Sequence, residues 1–480
     1  MGFPSIPWYG LFQMTVFFLS MFILILTVLS RFPSRGKYFI LLGLFPFEFF
    51  LYFTHFEYTI ISFWAALAGF FLLMDSLRNG RSFVFVLASG FLIFLSSLIR
   101  VQSLFLALLV LIPWAFSEWS SFKPAQKEKS LSFVGSLACL ILSAWFFNQI
   151  VYRDTPGWED THPYLDAYHN LVEYRRLESN PAFPKILSSV GWSGLDFTLY
   201  KDWFWQGPQF TLEKLKKLMA VSGPPYLYKE TGWQWLFSTD FLLYRLSILA
   251  LFFFFIPRKK YFLILLNFLI VILVFFGLFY LTKTVSWVVW PLFSYISILC
   301  LLEADPNDSS HFIKSSKSGI WFGWLRWIFL LGWVVVFAPF LRSEWLENRV
   351  KVEYEIKIEK DIEALSPQKN RLYVIWLGGF PLDQLSVFGN YGLFKEFPIY
   401  SLTWEQNTPP AKELLVRFHI KDLPLDILDR KDVYFILPGI YLNLYGAYMR
   451  EHYKVEPEFK WVYHGNTFDA YQVGRNRPAR

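Results

Sequence analysis

Residues 83–117 read FVFVLASGFLIFLSSLIRVQSLFLALLVLIPWAFS, and Arg100 is the sole charge among them. A helix needs about 20 apolar residues to cross a bilayer core. The run holds two such helices, 83–99 and 101–117, with Ile99-Arg100-Val101-Gln102 as the turn between them. An arginine at a membrane edge is costly, so it marks a functional position by default. This stretch decides the class: an α-helical polytopic membrane protein.

The same grammar extends outward in both directions. Ten segments are apolar enough to be expected spans: 10–30, 38–53, 58–74, 83–99, 101–117, 131–151, 240–256, 261–281, 285–302 and 319–341. The chain of 480 residues is 55% hydrophobic and only 17% charged, against about 25% charged in soluble domains. That balance excludes a disordered chain, a disulfide scaffold and an ordinary cytosolic enzyme. Cys139 and Cys300 lie inside apolar runs and read as small buried hydrophobes.

The net charge of +7 punctuates the apolar runs and forms no single basic patch, so no nucleic-acid partner is expected. Basic residues cluster in alternate loops: Arg31, Arg35 and Lys37; Arg78 and Arg81; Lys123, Lys127 and Lys129; Arg258, Lys259 and Lys260; Lys314 and Lys317. The intervening short loops hold only Arg100 and Lys283. By the positive-inside rule the first set is cytoplasmic. The N-terminus, the loop 152–239 and the tail after 341 are then expected outside. Trp8, Trp114, Trp235, Trp287 and Trp345 fall near span ends, as an aromatic belt predicts.

The domain expectation is a transmembrane domain, 1–341, that includes the outer loop 152–239, followed by an extracytoplasmic α/β domain, 342–480. In the loop, 164–178 and 211–221 read as helices. Thr211 is the N-cap of the second, and Leu212, Leu215, Leu218 and Met219 form its stripe. Lys214, Lys216 and Lys217 lie off that stripe, so the helix either lies on the membrane surface or packs on protein. After an exit helix at 346–365, strands are predicted at 371–377, 398–402, 432–437 and 461–473, with helices near 410–418 and 440–452. Leu377-Gly378-Gly379-Phe380 matches no phosphate loop and reads as a strand-end turn.

The candidate polar residues near the outer edge are Glu48, His55, Glu57, Arg100, Arg245 and Lys283. Cations and carboxylates together there suit an anionic, lipid-linked phosphate; the plain alternative is snorkelling and structural pairing. Gln102 adds a polar neighbour to Arg100. Glu159, Asp160, His162, Asp166 and His169 are ligand types for a divalent metal ion, without the spacing of any metal motif. Asp196 lies between aromatics, as a buried acid or as a helix cap. No hydrolase elbow, zincin or Walker string occurs.

Four segments resemble the GT-C superfamily of polytopic glycosyltransferases: Ile6-Pro7-Trp8-Tyr9-Gly10-Leu11-Phe12; Phe56-Glu57-Tyr58-Thr59 with Ala65-Ala66-Leu67-Ala68-Gly69; Leu98-Ile99-Arg100-Val101-Gln102; and Val190-Gly191-Trp192-Ser193 with Asp196 and Trp203-Phe204. The resemblance implies a bacterial inner (plasma) membrane protein with its cavity at the outer face. It also implies a polyprenyl-phosphate sugar donor, a glycan or lipid acceptor, and a role in cell-envelope polysaccharide or glycolipid assembly. Such enzymes carry an acid in a first outer loop, because a sugar hydroxyl needs a base. Here the chain opens on what resembles their second helix, and no acid precedes Glu48. The expectation is a chain short by one helix, or one that has lost that base; Glu57, Asp160 and Asp196 are the possible substitutes. Arg100, Gln102, Arg245 and Lys283 are then the substrate-binding set, with Glu57 and Asp196 as catalytic candidates. A non-catalytic scaffold or degenerate paralogue is the alternative, and a transporter the third reading, disfavoured by the sparse mid-membrane charge.

Overall fold

The computed structural model describes residues 8–31, 52, 57–154, 158–175, 177–223, 260–280, 286–303, 319–365, 368–376, 378–381, 385 and 397–476. The chain divides into two compact units. One is Trp8–Phe147 with Lys229–Asn348; the other is built mainly from Asn148–Tyr228 with Arg349–Arg480.

The first unit is helical. Its described helices are α1 (Trp8–Arg31), α2 (Tyr58–Asn79), α3 (Phe83–Ser120), the body of α4 (Pro124–Asp154), and further along the chain Tyr261–Tyr280, Ser286–Glu303 and the start of Gly319–Leu365. Among the described residues, five helices are long and apolar enough to cross a membrane: Gly10–Ser30, Tyr58–Asn79, Phe83–Ser120, Pro124–Val151 and Tyr261–Phe279. Six of the ten expected segments fall within these five. Ser286–Glu303 is apolar but shorter, and 319–341 begins the long last helix. Segment 240–256 and nearly all of 38–53 lie outside the described residues. Outward-facing Phe83, Phe105, Phe147 and Phe262 leave large apolar faces bare, which a water-soluble surface does not sustain and a bilayer does.

Helix α2 is buried along almost its whole length, held between the two arms of α3. The arms separate at Arg100, which takes an extended conformation (φ −160°, ψ 100°) inside an otherwise helical run. On the first arm, Ser89 and Ile93 press against Gly69, where a Cβ would lie 2.6 Å from Ile93 Cγ1. On the second arm, Trp114 meets Phe71 edge-on at 4.7 Å, and Glu118 pairs with Arg78 at 3.2 Å. At the Arg100 end of both arms, the Ser62 hydroxyl reaches the Ser96 carbonyl (2.9 Å) and the Arg100 carbonyl (3.0 Å). It thereby satisfies an acceptor that the helix break releases. Thus α3 reverses at Arg100, as the sequence predicts.

Two expectations are corrected in this unit. Trp114 is not part of an interfacial belt. It is fully buried, and its indole N–H donates to Glu303 Oε1 at 2.9 Å. Cys139 is exposed on an apolar helix; only Cys300 is buried. Several basic residues from the orientation pattern also have buried partners: Arg81 with Asp75 (2.6 Å) and Lys260 with Glu303 (2.7 Å).

The second unit is a three-layer α/β fold. Strands β1 (Leu372–Trp376), β2 (Ile399–Leu402) and β3 (Val433–Ile436) are parallel in the order β2-β1-β3. An antiparallel hairpin, β4 (Pro457–His464) and β5 (Asp469–Arg475), adds to β3 through β5. The predicted single strand at 461–473 is therefore two strands joined at Gly465-Asn466. Alternation along β1 sorts the layers. Tyr373 and Ile375 face Ile358 and Ile362 of the long last helix. Leu372, Val374 and Trp376 face the other way, into a core shared with residues 164–218.

The sequence reading placed the outer loop with the transmembrane segments. Its described part, 158–223, packs as one core with the sheet. Gln406, almost fully buried, ties the two together: its Nε2 donates to the Trp203 carbonyl (2.8 Å), and its Oε1 accepts from the Trp205 N–H (3.2 Å). The helix Leu212–Val221 is capped by Thr211 as predicted, and Leu215 and Leu218 are buried in that protein core. Of the two readings left open for this helix, packing on protein is the one found. The glycine pair also behaves as predicted. Gly378 has φ +72°, and a Cβ on Gly379 would lie 2.4 Å from Leu437 Cα. The turns after β1 and β3 touch backbone to backbone, an approach that only a residue without a Cβ allows.

Candidate functional site

Arg100 and Glu57, separated by 43 residues of sequence, meet at the reversal of α3. Glu57 is the N-cap of α2. Its Oε2 accepts from the Thr59 N–H at 2.6 Å, the usual way an acidic cap satisfies a free helix donor. Its other oxygen lies 3.9 Å from Arg100 Nη1. The same Nη1 donates to the Thr59 hydroxyl, and the guanidinium sits 4.9 Å over the Tyr58 ring. Three supports thus hold one face of the guanidinium, and both charged side chains are only part-buried, 31% and 25% exposed. Nε and Nη2 make no hydrogen bond to a described residue. They form the edge that binds a phosphate or carboxylate in a two-pronged way. Gln102, two residues on, is exposed. Glu48, His55, Arg245 and Lys283 lie outside the described residues.

Asp196 belongs to the α/β unit, in a different setting. It is fully buried at the third position of the helix Gly194–Lys201, in a capping box with Ser193. Its Oδ2 accepts from the Ser193 N–H at 2.8 Å. Its Oδ1 lies 2.8 Å from His452 Nε2. His452 comes from a widened helical turn, Met449–Tyr453. Its Nδ1 is 2.8 Å from Gln209 Nε2, and Gln209 Oε1 accepts from Lys214 Nζ at 2.8 Å.

The chain of bonds sets the proton positions. An ammonium only donates, so the Gln209 oxygen faces Lys214 and its amide N–H faces His452. Nδ1 must then accept, the ring proton is on Nε2, and that proton is donated to Asp196. Asp196 therefore orients an imidazole and caps a helix. Both its oxygens are committed, and it is not an available base. Any proton-accepting nitrogen here is Nδ1 of His452, which Gln209 covers.

Asp196, Glu451 and His452 are also the one group of three among the described residues whose donor atoms lie close enough to share a metal ion. An ion there would need the Nε2 lone pair, which the Lys214–Gln209 arrangement replaces with a proton. The set fits a hydrogen-bonded dyad better than a metal site. Glu159, His162, Asp166 and His169 form no such group among the described residues, and the Asp160 side chain lies outside them; His169 faces Glu173 at 3.8 Å. His452, Gln209 and Glu451 were not singled out by the sequence. The one local signal was Ser193-x-x-Asp196, a capping-box spacing. The His452 partner lies 256 residues further on.

No family model, curated protein or solved structure matches this chain. The class that stands on the observations above is a membrane protein with several apolar helices and a separate α/β unit.

Proposed function

We propose that the chain is a membrane glycosyltransferase-like protein of the GT-C kind. It acts at the outer face of a bacterial inner membrane on a polyprenyl-phosphate-linked sugar, with a glycan or lipid as acceptor. The observation that carries this is the Arg100 turn. A guanidinium is held by Thr59, Glu57 and Tyr58, and its Nε and Nη2 make no hydrogen bond to a described residue, at the end of an apolar helical hairpin. That is the geometry expected where a lipid-linked phosphate enters from the bilayer edge. Glu57 Oε1, not used by the cap and 3.9 Å from Arg100 Nη1, is the carboxylate oxygen among the described residues here that would take a proton from an acceptor hydroxyl.

The test uses the full chain in nanodiscs with polyprenyl phosphate as the probe. Arg100→Ala is expected to weaken binding about tenfold or more, a loss of roughly 1.4 kcal/mol per decade, and Arg100→Lys to recover part of it. Equal binding by wild type and Arg100→Ala removes the assignment. A second reading, a non-catalytic scaffold, is favoured by one observation: Glu57 and Asp196 both carry structural hydrogen bonds. Donor binding without sugar transfer to any acceptor would select it.

A further inference from the structure

The α/β unit holds a second cluster that neither the Arg100 turn nor the Asp196 dyad uses. In the β2-β1-β3 order the chain leaves β1 to one side and β3 to the other. In open α/β sheets the crevice beyond the strand ends at such a switch point is where ligands bind. Here β1 ends at Trp376, and the helix Gly439–Tyr448 follows β3. Trp376 stacks on Tyr441 of that helix at 4.7 Å and 13°. Its indole N–H donates to the Asp202 carbonyl at 2.7 Å, which brings residues 200–205 to the strand ends.

Asp202 is the unexplained group. Its carboxylate makes no hydrogen bond or ion pair with a described residue. The adjacent Lys201 is turned away to Glu178 at 2.7 Å. Partial burial pushes the Asp202 carboxyl above its ordinary range, and the Asp202 charge in turn raises the Tyr441 hydroxyl after burial has done so. Trp376 joins the two residues, donating to the Asp202 carbonyl and stacking on the Tyr441 ring. The next residue, Trp203, has φ +65°, a left-handed conformation that a bulky side chain adopts only when its surroundings enforce it. Its ring is stacked at 4.0 Å on Tyr168 and at 5.0 Å on Trp205. Trp203 and Tyr441 are both part-exposed.

A half-buried carboxylate that pairs with no described residue, linked through Trp376 to a phenol and followed by a strained, stacked, part-exposed tryptophan, matches one ligand chemistry. A sugar ring has an apolar C–H face for the aromatic and neighbouring hydroxyls for the two carboxylate oxygens. The Gly378-Gly379 turn is packed against the Leu437 backbone, and the Asp202 carboxylate disfavours an anion. We infer that the switch-point crevice, built by Asp202, Trp203 and Tyr441, is a binding site for a neutral glycan. The site does not depend on the transferase reading: an enzyme and a non-catalytic partner would hold a glycan there equally.

Tryptophan-fluorescence and calorimetric titrations of the full chain in nanodiscs decide the matter, with chitotriose, cellotetraose and maltotetraose as probes. The expected result is saturable binding to at least one, weakened tenfold or more by Asp202→Asn and by Trp203→Gly. The glycine variant removes the ring while relieving the left-handed strain, so its fold should be retained. The melting temperature checks that for both variants. No saturable binding by wild type overturns the proposal, as does binding that both folded variants retain in full. Binding without sugar transfer would count against the enzyme reading alone.

Discussion

Asp361, on the long last helix, is nearly fully buried and accepts four hydrogen bonds from the β4–β5 hairpin: from Tyr463 Oη, Asn466 Nδ2, and the Thr467 N–H and Oγ1, at 2.7–3.2 Å. Burial alone would raise its carboxyl, but the bonds from Thr467, Tyr463 and Asn466 outweigh it and hold the carboxyl below its ordinary 3.8. A folded-state value below the unfolded one means stability that is present above pH 3.8 and lost as pH falls through the folded value. Asp361→Asn is expected to lower the melting temperature of the α/β unit at pH 7 and to flatten its decline below pH 4; melts across pH 2.5–7 check both. At His452 the argument is about what is left behind. His452→Ala strands a buried Asp196 oxygen at a cost of about 1–3 kcal/mol. His452→Gln, whose amide N–H reaches the same oxygen, should recover part of that in denaturant titrations. No recovery would mean that the imidazole acts by packing on Tyr448, not by its hydrogen bond.

Elements in this protein are fitted by small residues at two close approaches. Alanine at Gly69 would drive α2 against Ile93 and Ser89 of α3, and alanine at Gly379 would strike the Leu437 backbone. Each is expected to cost about 1–3 kcal/mol, the usual range for overpacking. Gly135 on α4, with nothing within 4 Å of its added Cβ, serves as the control and should tolerate alanine. Thermal melts of the three variants measure it. The α2–α3 approach was legible because the run Ala65-Ala66-Leu67-Ala68-Gly69 and the arginine turn are local patterns. Strands β1–β3 were legible for the same reason: each is a short Val, Ile, Tyr or Phe run bounded by turn residues. The β4–β5 turn was lost because Gly465-Asn466 interrupts a run that is aromatic on both sides. The Asp196–His452 dyad and the Asp202 crevice were not legible, since each joins residues far apart in sequence, and spacing carries no information about that.

At the scale of the whole molecule, the orientation reading makes a prediction of its own. With Cys139 and Cys300 replaced, a single cysteine at Lys460 should react with an impermeant maleimide in intact cells. One at Lys127 should react only after permeabilisation. The reverse pattern would invert the topology on which the outer-face proposal rests. A second prediction follows from the shared core. A chain truncated at residue 341 leaves Leu171, Tyr200, Phe204 and Leu215 without the sheet they pack on, and proteolysis should remove 158–223 from it while sparing that segment in the full chain.

The α/β unit is made from two pieces of chain with Lys229–Asn348 of the helical unit between them, and time enters through that arrangement. At about 5–20 residues per second, the first piece emerges tens of seconds before the strands it packs on. For that interval Trp203, Phe204, Trp205 and Phe210 have no sheet to cover them. The waiting half-domain is a natural client for a chaperone at the membrane surface, and its yield in cells should follow chaperone supply more than the stability of the finished fold.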